Sequence, residues 1–297
     1  MPLISENWSR LLDPGLRKIF VDVFQLQRSV LPILFDIQSS EKAQEFDLED
    51  GPIADFAPMN GTIPYDDAIQ GVRTTYTHSS YARGFKVQRE LVDDDLYNII
   101  NKKPSKLAMG ATRRREADGA SVFNNAFNAS VTGGDALSLC NTAHTSVQGA
   151  ANQSNSGTSA LTAVNLEATR RLMVAFRDTI GGIVQVLPDT LIVPTQLAEI
   201  AWEIVSSKGK LDTALNNANF HYSQFKVVVW DNYLTDSNNW FLADSGLMKQ
   251  FLLWFDRVDP EFFRDKDFDT LQAKFAGYMR YSFGWSDWRF LFGQNPS

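Results

Sequence analysis

The residue types most often used for catalysis or metal binding are scarce in this sequence: one cysteine, Cys140, and three histidines, His78, His144 and His221. The histidines fall in a strand-like segment, a loop and a turn-like segment, and no pair has the spacing with which two imidazoles reach one zinc ion. Cys140 and His144 lie close together in LSLCNTAHTS and would make a nucleophile and a base. That stretch has the composition of a flexible loop and offers no third group to orient the base. The acids Asp93 to Asp95, and Asp265, Asp267 and Asp269, could attract a hard cation such as calcium. Neither cluster carries the glycine turn and distal glutamate of a calcium loop, and consecutive aspartates on a helix point apart. No GxGxxG, phosphate-binding loop, GxSxG or HExxH occurs. These residues predict a protein that is not an enzyme and holds no metal or cofactor.

Charge placement says more than any motif. Between residues 41 and 70 the acids Glu41, Glu45, Asp47, Glu49, Asp50, Asp55, Asp66 and Asp67 face one base, Lys42. The next segment inverts the balance, with Arg73, Arg83, Lys86, Arg89, Lys102, Lys103, Lys106 and the run Arg113, Arg114 and Arg115. Three successive helical residues spread over roughly 200°, so the arginine run cannot form one patch on DNA phosphate, and at least one of the three should pair within the protein. An acidic loop beside a basic body fits two readings equally, ordinary surface charge or complementary surfaces on adjacent copies, which set orientation and register more than affinity. The candidate intersubunit contacts are therefore Glu45, Asp47, Glu49, Asp50, Asp55, Asp66 and Asp67 on one side and Arg113, Arg114 and Arg115 on the other.

The elements that must hold these residues can be read from periodicity. Residues 1 to 40 read as an arm, with Leu16, Phe20, Val23 and Phe24 at helical spacing, an interruption at Pro32, and little of their own to pack against. Gly51, Pro52, Pro58, Gly61 and Pro64 make 41 to 70 a projecting loop or hairpin. A return strand runs from Val72 to Val87. A helix over 89 to 100 ends before Pro104, and a second over 105 to 128 forms a spine about 35 Å long, weakened by Gly110 and Gly119 unless close packing uses them. Residues 130 to 160 read as an exposed loop without a core, followed by a helix from Thr162 to about Asp178, with Leu166, Leu172, Met173 and Phe176 inward and Gly181 and Gly182 closing it. Then come a strand at 191 to 193, a helix at 196 to 206, strands at 225 to 230, 240 to 243 and 247 to 255, a long strand through Phe275 and Tyr281, and a short extended end.

The chain has 297 residues, 44% of them hydrophobic, with 21 Phe, 7 Trp and 8 Tyr, enough to build a real core. A net charge of -7 disfavours tight nonspecific binding to nucleic acid. One cysteine excludes an intrachain disulfide, the start MPLISENWSR does not read as a signal peptide, and no stretch approaches the roughly 20 apolar residues of a membrane span. A cytoplasmic compartment and no membrane partner are expected.

The order of elements resembles a Hong Kong 97-type capsid protein, an α+β fold. Residues 139–207 (LCNTAHTS through AEIAWEIVSS), VVVWDNYLTDSNNWFLAD at 227–244 and YMRYSFGWSDWRFLFG at 278–293 are most similar to the Mu-like phage major head subunit family. The likeness covers roughly residues 80 to 297, and its motifs mark turns and core faces. It implies an N-terminal arm at 1–40, an extended loop at 41–87 lying on a neighbouring subunit, a peripheral domain at 88–182 with 258–297, and an axial domain at 183–257. It further implies pentamers and hexamers of an icosahedral shell around double-stranded DNA, assembled in the bacterial cytoplasm with portal and scaffolding proteins. A decoration protein and weak nonspecific contact with packaged DNA complete the implied partners. Phe20, Phe24, Ile53 and Phe56 are candidate anchors of arm and loop on a neighbour, with contacts inside the same subunit an equal alternative for each. Two rival readings stand beside it: an encapsulin-like compartment of the same fold, and a soluble carbohydrate-binding or hydrolytic protein using Trp240 or Trp285 near acids.

Overall fold

The computed structural model describes residues 7–53, 55, 56, 58, 59, 61, 63, 65, 70–88, 90, 99–145, 151–209, 218–267 and 272–296, with backbone alone at 7–14, 49, 50, 70 and 99–101. Residues 91 to 98 of the expected helix over 89 to 100, with the acids Asp93 to Asp95, and Asp66, Asp67 and Asp269 lie outside these residues.

The chain opens with helix α1, Asn7–Leu26. Its Leu16 and Phe20 are fully buried within the same subunit, against Val87, Ala108, Phe262, Ala273 and Phe275. The arm therefore does have a partner of its own, and Phe20 is not available to a neighbour. Helix α2, Leu31–Leu34, takes Pro32 in its first turn, where a missing N–H costs no helical bond.

Helix α3, Ile99–Asn124, is the spine, 26 residues and about 39 Å long. It runs through Pro104 instead of starting after it. Pro104 is near the amino-terminal end, where at most one helical hydrogen bond is lost, so the long apolar contact of the remaining turns outweighs the break.

Three sheets surround the spine. The first has the order β1-β9-β10-β4, with β1 at Asp36–Ser39, β4 at Ser79–Gln88, β9 at Leu252–Asp267 and β10 at Gln272–Trp285. Strand β9 continues far beyond the expected end at Phe255 because Asp259 and Pro260 sit where the register with β10 shifts near Met279. A bulge tolerates a proline that a regular ladder would not. The expected strand start at Leu247 is also wrong. Residues Ser245–Phe251 form a helix, capped by Asp244, whose Oδ1 accepts from the N–H groups of Gly246 and Leu247 at 2.8 and 3.1 Å.

The second sheet has the order β5-β11-β8-β6-β7: Ser156–Gly157, Leu291–Gln294, Trp240–Ala243, Thr190–Val193 and Lys226–Val229. The strands β6, β8 and β11 are buried on both faces, which is why TLIV and WFLA read as unbroken runs. Helix α4, Ala163–Val174, packs on β8 and β11, and helix α5, Ala198–Ser206, packs on β6 and β7. Leu166, Thr169 and Met173 face inward, whereas Leu172 is exposed. Six residues from Leu166 at 100° each place Leu172 on the outer flank. The helix ends at Val174, and Gly181, at a positive φ of 89°, turns a short bridge between Arg177 and Ile183 instead of closing the helix.

Residues 130 to 160 are not a coreless loop. Leu139, Cys140, His144 and Asn155 are buried, and the side chain of Asn155 serves as a strand would: its Nδ2 donates to Leu139 O and Leu291 O, and its Oδ1 accepts from Asn141 N. The third sheet is the hairpin β2, Gln44–Asp50, with β3, Gln70–Thr77, whose Tyr76 packs on Leu253 and Phe255 of the first sheet.

Candidate assembly surfaces

The catalytic pairing does not form. Cys140 is buried against Gly293 and Phe127, and burial pushes its thiol far up. The ring nitrogens of His144 face Asp135 Oδ2 at 2.8 Å and Asn155 Oδ1 at 3.1 Å, and the ring stacks on Trp288 at 4.2 Å. This histidine fastens a loop. Trp240 and Trp285 are buried too, which removes the surface on which the sugar-binding or hydrolytic reading depended. Among the described residues no three His, Cys, Asp or Glu side chains converge, and no helix is long and apolar enough to cross a membrane.

What the fold does build is a projecting hairpin with a fixed root. Ser40 N donates to Asp256 O at 2.9 Å, and Ser40 Oγ donates to Glu45 Oε1 at 2.7 Å. The same hydroxyl lies 3.2 Å from His78 Nε2, while Ser282 Oγ on β10 lies 3.0 Å from His78 Nδ1. His78 is the residue between β3 and β4, so this chain of contacts ties the hairpin to the first sheet. Burial keeps the imidazole below its ordinary value, and the Arg280 charge adds to this. The hydroxyl of Ser40, and then Lys42 at 3.0 Å, hold the Glu45 carboxyl below the usual range.

Beyond the root Tyr76 packs on Leu253 and Phe255, and Val72 and Thr74 lie against Gly134, while the outer face of the hairpin is exposed. Phe46 carries Arg73 over its ring at 4.0 Å, and Leu48 is half exposed. Ile53, Phe56, Met59, Ile63 and Tyr65 are all well exposed, with Ile53 at 82% and Phe56 effectively bare. So many large apolar groups in water on one short segment require a cover.

The predicted contact residues separate into two kinds. Asp55 is exposed on the loop and Asp47 half exposed on β2; Glu49 and Asp50 belong to β2. Glu45 is committed within its own subunit. Arg115 is buried, bound to both oxygens of Asp256 at 2.7 and 2.8 Å. Arg114 is exposed but pairs with Asp118 at 2.7 Å and lies 4.8 Å over Tyr81. Arg113 is exposed, its Nε donating to Met109 O at 3.3 Å. The arginine run thus presents two side chains outward and keeps one for the core. Periodicity gave no sign of the cleft between α3, β4 and β10 that Arg113 and Arg114 line.

A family model described as phage capsid protein matches residues 71–293. The chain belongs to that family. This phage capsid protein has the α+β Hong Kong 97-type fold. The capsid of bacteriophage JBD30 is similar at a TM-score of 0.58 and 13% identity, over 77% of this chain and 99% of that one. The mature capsid of bacteriophage PhiM1 gives a TM-score of 0.60 at 10% identity, over 92% and 88%. A virus-like particle from Pyrococcus furiosus gives 0.53 at 11%, over 95% and 98%. No curated protein sequence matches significantly. Such identities speak for a shared fold and leave every surface residue open to differ.

Proposed function

We propose that this phage capsid protein is the major head subunit of a tailed bacteriophage, closing into pentamers and hexamers of an icosahedral shell around double-stranded DNA. The observation that carries the reading is the family match over residues 71–293, joined to a hairpin on which Ile53, Phe56, Met59, Ile63 and Tyr65 are exposed among the described residues. Head-to-tail association of identical surfaces closes a ring when the rotation fits, and the tip is then buried by the next copy. The Mu-like placement within the family rests on the segments at 139–207, 227–244 and 278–293. The division into arm 1–40, loop 41–87, peripheral domain 88–182 with 258–297 and axial domain 183–257 is part of the same reading. So are portal, scaffolding and decoration partners, weak contact with packaged DNA, residence in the virion, and assembly in the bacterial cytoplasm.

Electron microscopy of the expressed protein tests this directly, with closed shells as the expected result and a small oligomer as the refutation. The likeness to the Pyrococcus furiosus virus-like particle over nearly the whole of both chains keeps a second reading in play, a protein compartment of the same fold. Double-stranded DNA in particles purified from virions supports the head subunit, and a protein cargo in its place supports the compartment.

A further inference from the structure

His78 is the single residue between β3 and β4, so every contact it makes is a contact at the joint of the hairpin. Its ring is buried between two serine hydroxyls, Ser40 Oγ at 3.2 Å from Nε2 and Ser282 Oγ at 3.0 Å from Nδ1. The placement of the hydrogens follows from the neighbours. Ser40 Oγ spends its one hydrogen on Glu45 Oε1 at 2.7 Å, so towards His78 it can only accept, and Nε2 carries the hydrogen of the ring. In the neutral ring Nδ1 is then bare and accepts from Ser282 Oγ. One chain of donations, from Ser282 to His78 to Ser40 to Glu45, crosses from β10 through the joint to β2.

A second proton on the ring breaks this chain at one end. Nδ1 would then donate towards Ser282, whose own hydrogen must turn away from its one acceptor among the described residues, at a residue only 5% exposed. Charge opposes the proton as well. Arg280 on β10 and Arg257 on β9 both act against it, and Arg280 Nε is buried with no partner among the described residues. Glu45 on β2 acts in its favour, but that carboxylate is already shared between Ser40 and Lys42. The other contacts of the hairpin base, Tyr76 on Leu253 and Phe255 and Val72 and Thr74 at Gly134, come from groups that do not titrate near neutral pH.

We infer that His78 is a proton-operated latch of the hairpin: neutral, it ties β2 and β3 to the first sheet through Ser40 and Ser282, and protonated, it releases them to turn about the joint. In the closed joint burial, and then Arg280, hold the ring below its ordinary value of 6.5. An opened joint returns the ring to water and to that value, so opening takes up a proton and is favoured as pH falls below it. Such a latch belongs to the single subunit, and its failure would leave the shell reading untouched.

Leu48→Cys on β2 and Lys86→Cys on β4 are exposed positions for a pair of nitroxide labels, while the native Cys140 is buried. Pulsed electron resonance on the full-length chain, with labelled copies diluted by unlabelled ones, reads the hairpin against the sheet. One distance is expected near pH 7.5, and near pH 5.5 a second population whose share rises by up to about tenfold per pH unit. His78→Gln, which can still bridge the two serines without a charge, should hold the first distance at both values. Arg280→Gln should raise the midpoint of the change and Glu45→Gln should lower it. A distribution that ignores pH in the unsubstituted chain, a response that survives His78→Gln, or midpoints that move the same way in both charge variants overturns the latch.

Discussion

Arg115 on the spine helix meets Asp256 on β9 through two parallel hydrogen bonds of 2.7 and 2.8 Å, with each side chain only 9% exposed. Trp254 Nε1 also donates to Asp256 Oδ1 at 2.9 Å, and the Arg115 guanidinium lies 5.0 Å from the Trp254 ring. The arginine run, in which at least one member was expected to pair within the protein, therefore spends one member on joining helix to sheet.

Removing one partner leaves a buried charge alone. Asp256→Ala should cost about 3 to 5 kcal/mol, measurable by denaturant unfolding of the subunit. The double variant Arg115→Met with Asp256→Leu should recover much of that loss, because neither charge is then stranded. A double variant as unstable as the single one would show that the pair is not the source of the effect.

The two glycines of the spine should respond in opposite directions. At Gly119 an added Cβ would collide with Leu31 Cδ2 and crowd Trp230 at 3.3 Å and Phe35 at 3.4 Å. Gly119→Ala should therefore destabilise by about 1 to 3 kcal/mol. At Gly110 the space is open, so Gly110→Ala should stabilise by up to about 1 kcal/mol through helix propensity. Equal effects at both sites would show that packing does not distinguish them.

Asn155, fully buried, holds two carbonyls and one amide that have no strand partner. Asn155→Ala should cost about 3 kcal/mol by leaving them unsatisfied. Asn155→Asp should be no better despite its shape, since a carboxylate cannot donate to Leu139 O and Leu291 O. Thermal unfolding of both variants against the unsubstituted chain checks this.

Burial holds His78 and His221 below the ordinary histidine value of 6.5. The unfolded chain then takes up protons near 6.5 that the folded chain resists, so stability falls as pH drops below that value and is regained above it. His78→Gln should flatten part of the slope of unfolding free energy between pH 7 and 5. An unchanged slope would exclude His78 as a contributor. The same proton would act at the joint between β3 and β4, where His78 bridges Ser40 and Ser282.

Sequence alone was enough for the elements whose signal is local. The spine, the run WFLA at 240–243, the hairpin marked by glycine and proline, and the need for one arginine to pair internally all follow from periodicity, turn chemistry and the angle between successive helical residues. It failed where a distant contact overrides a local signal: Pro104 inside a helix, Pro260 at a bulge, Phe20 buried under β9 and β10, and the polar stretch 130–160 anchored by Asn155. The assignment of Arg113 and Arg114 to a cleft and Arg115 to the core could come only from tertiary structure. Their sequence positions are adjacent, and what separates them is which neighbour, α3's own sheet or open space, lies 100° further around the helix.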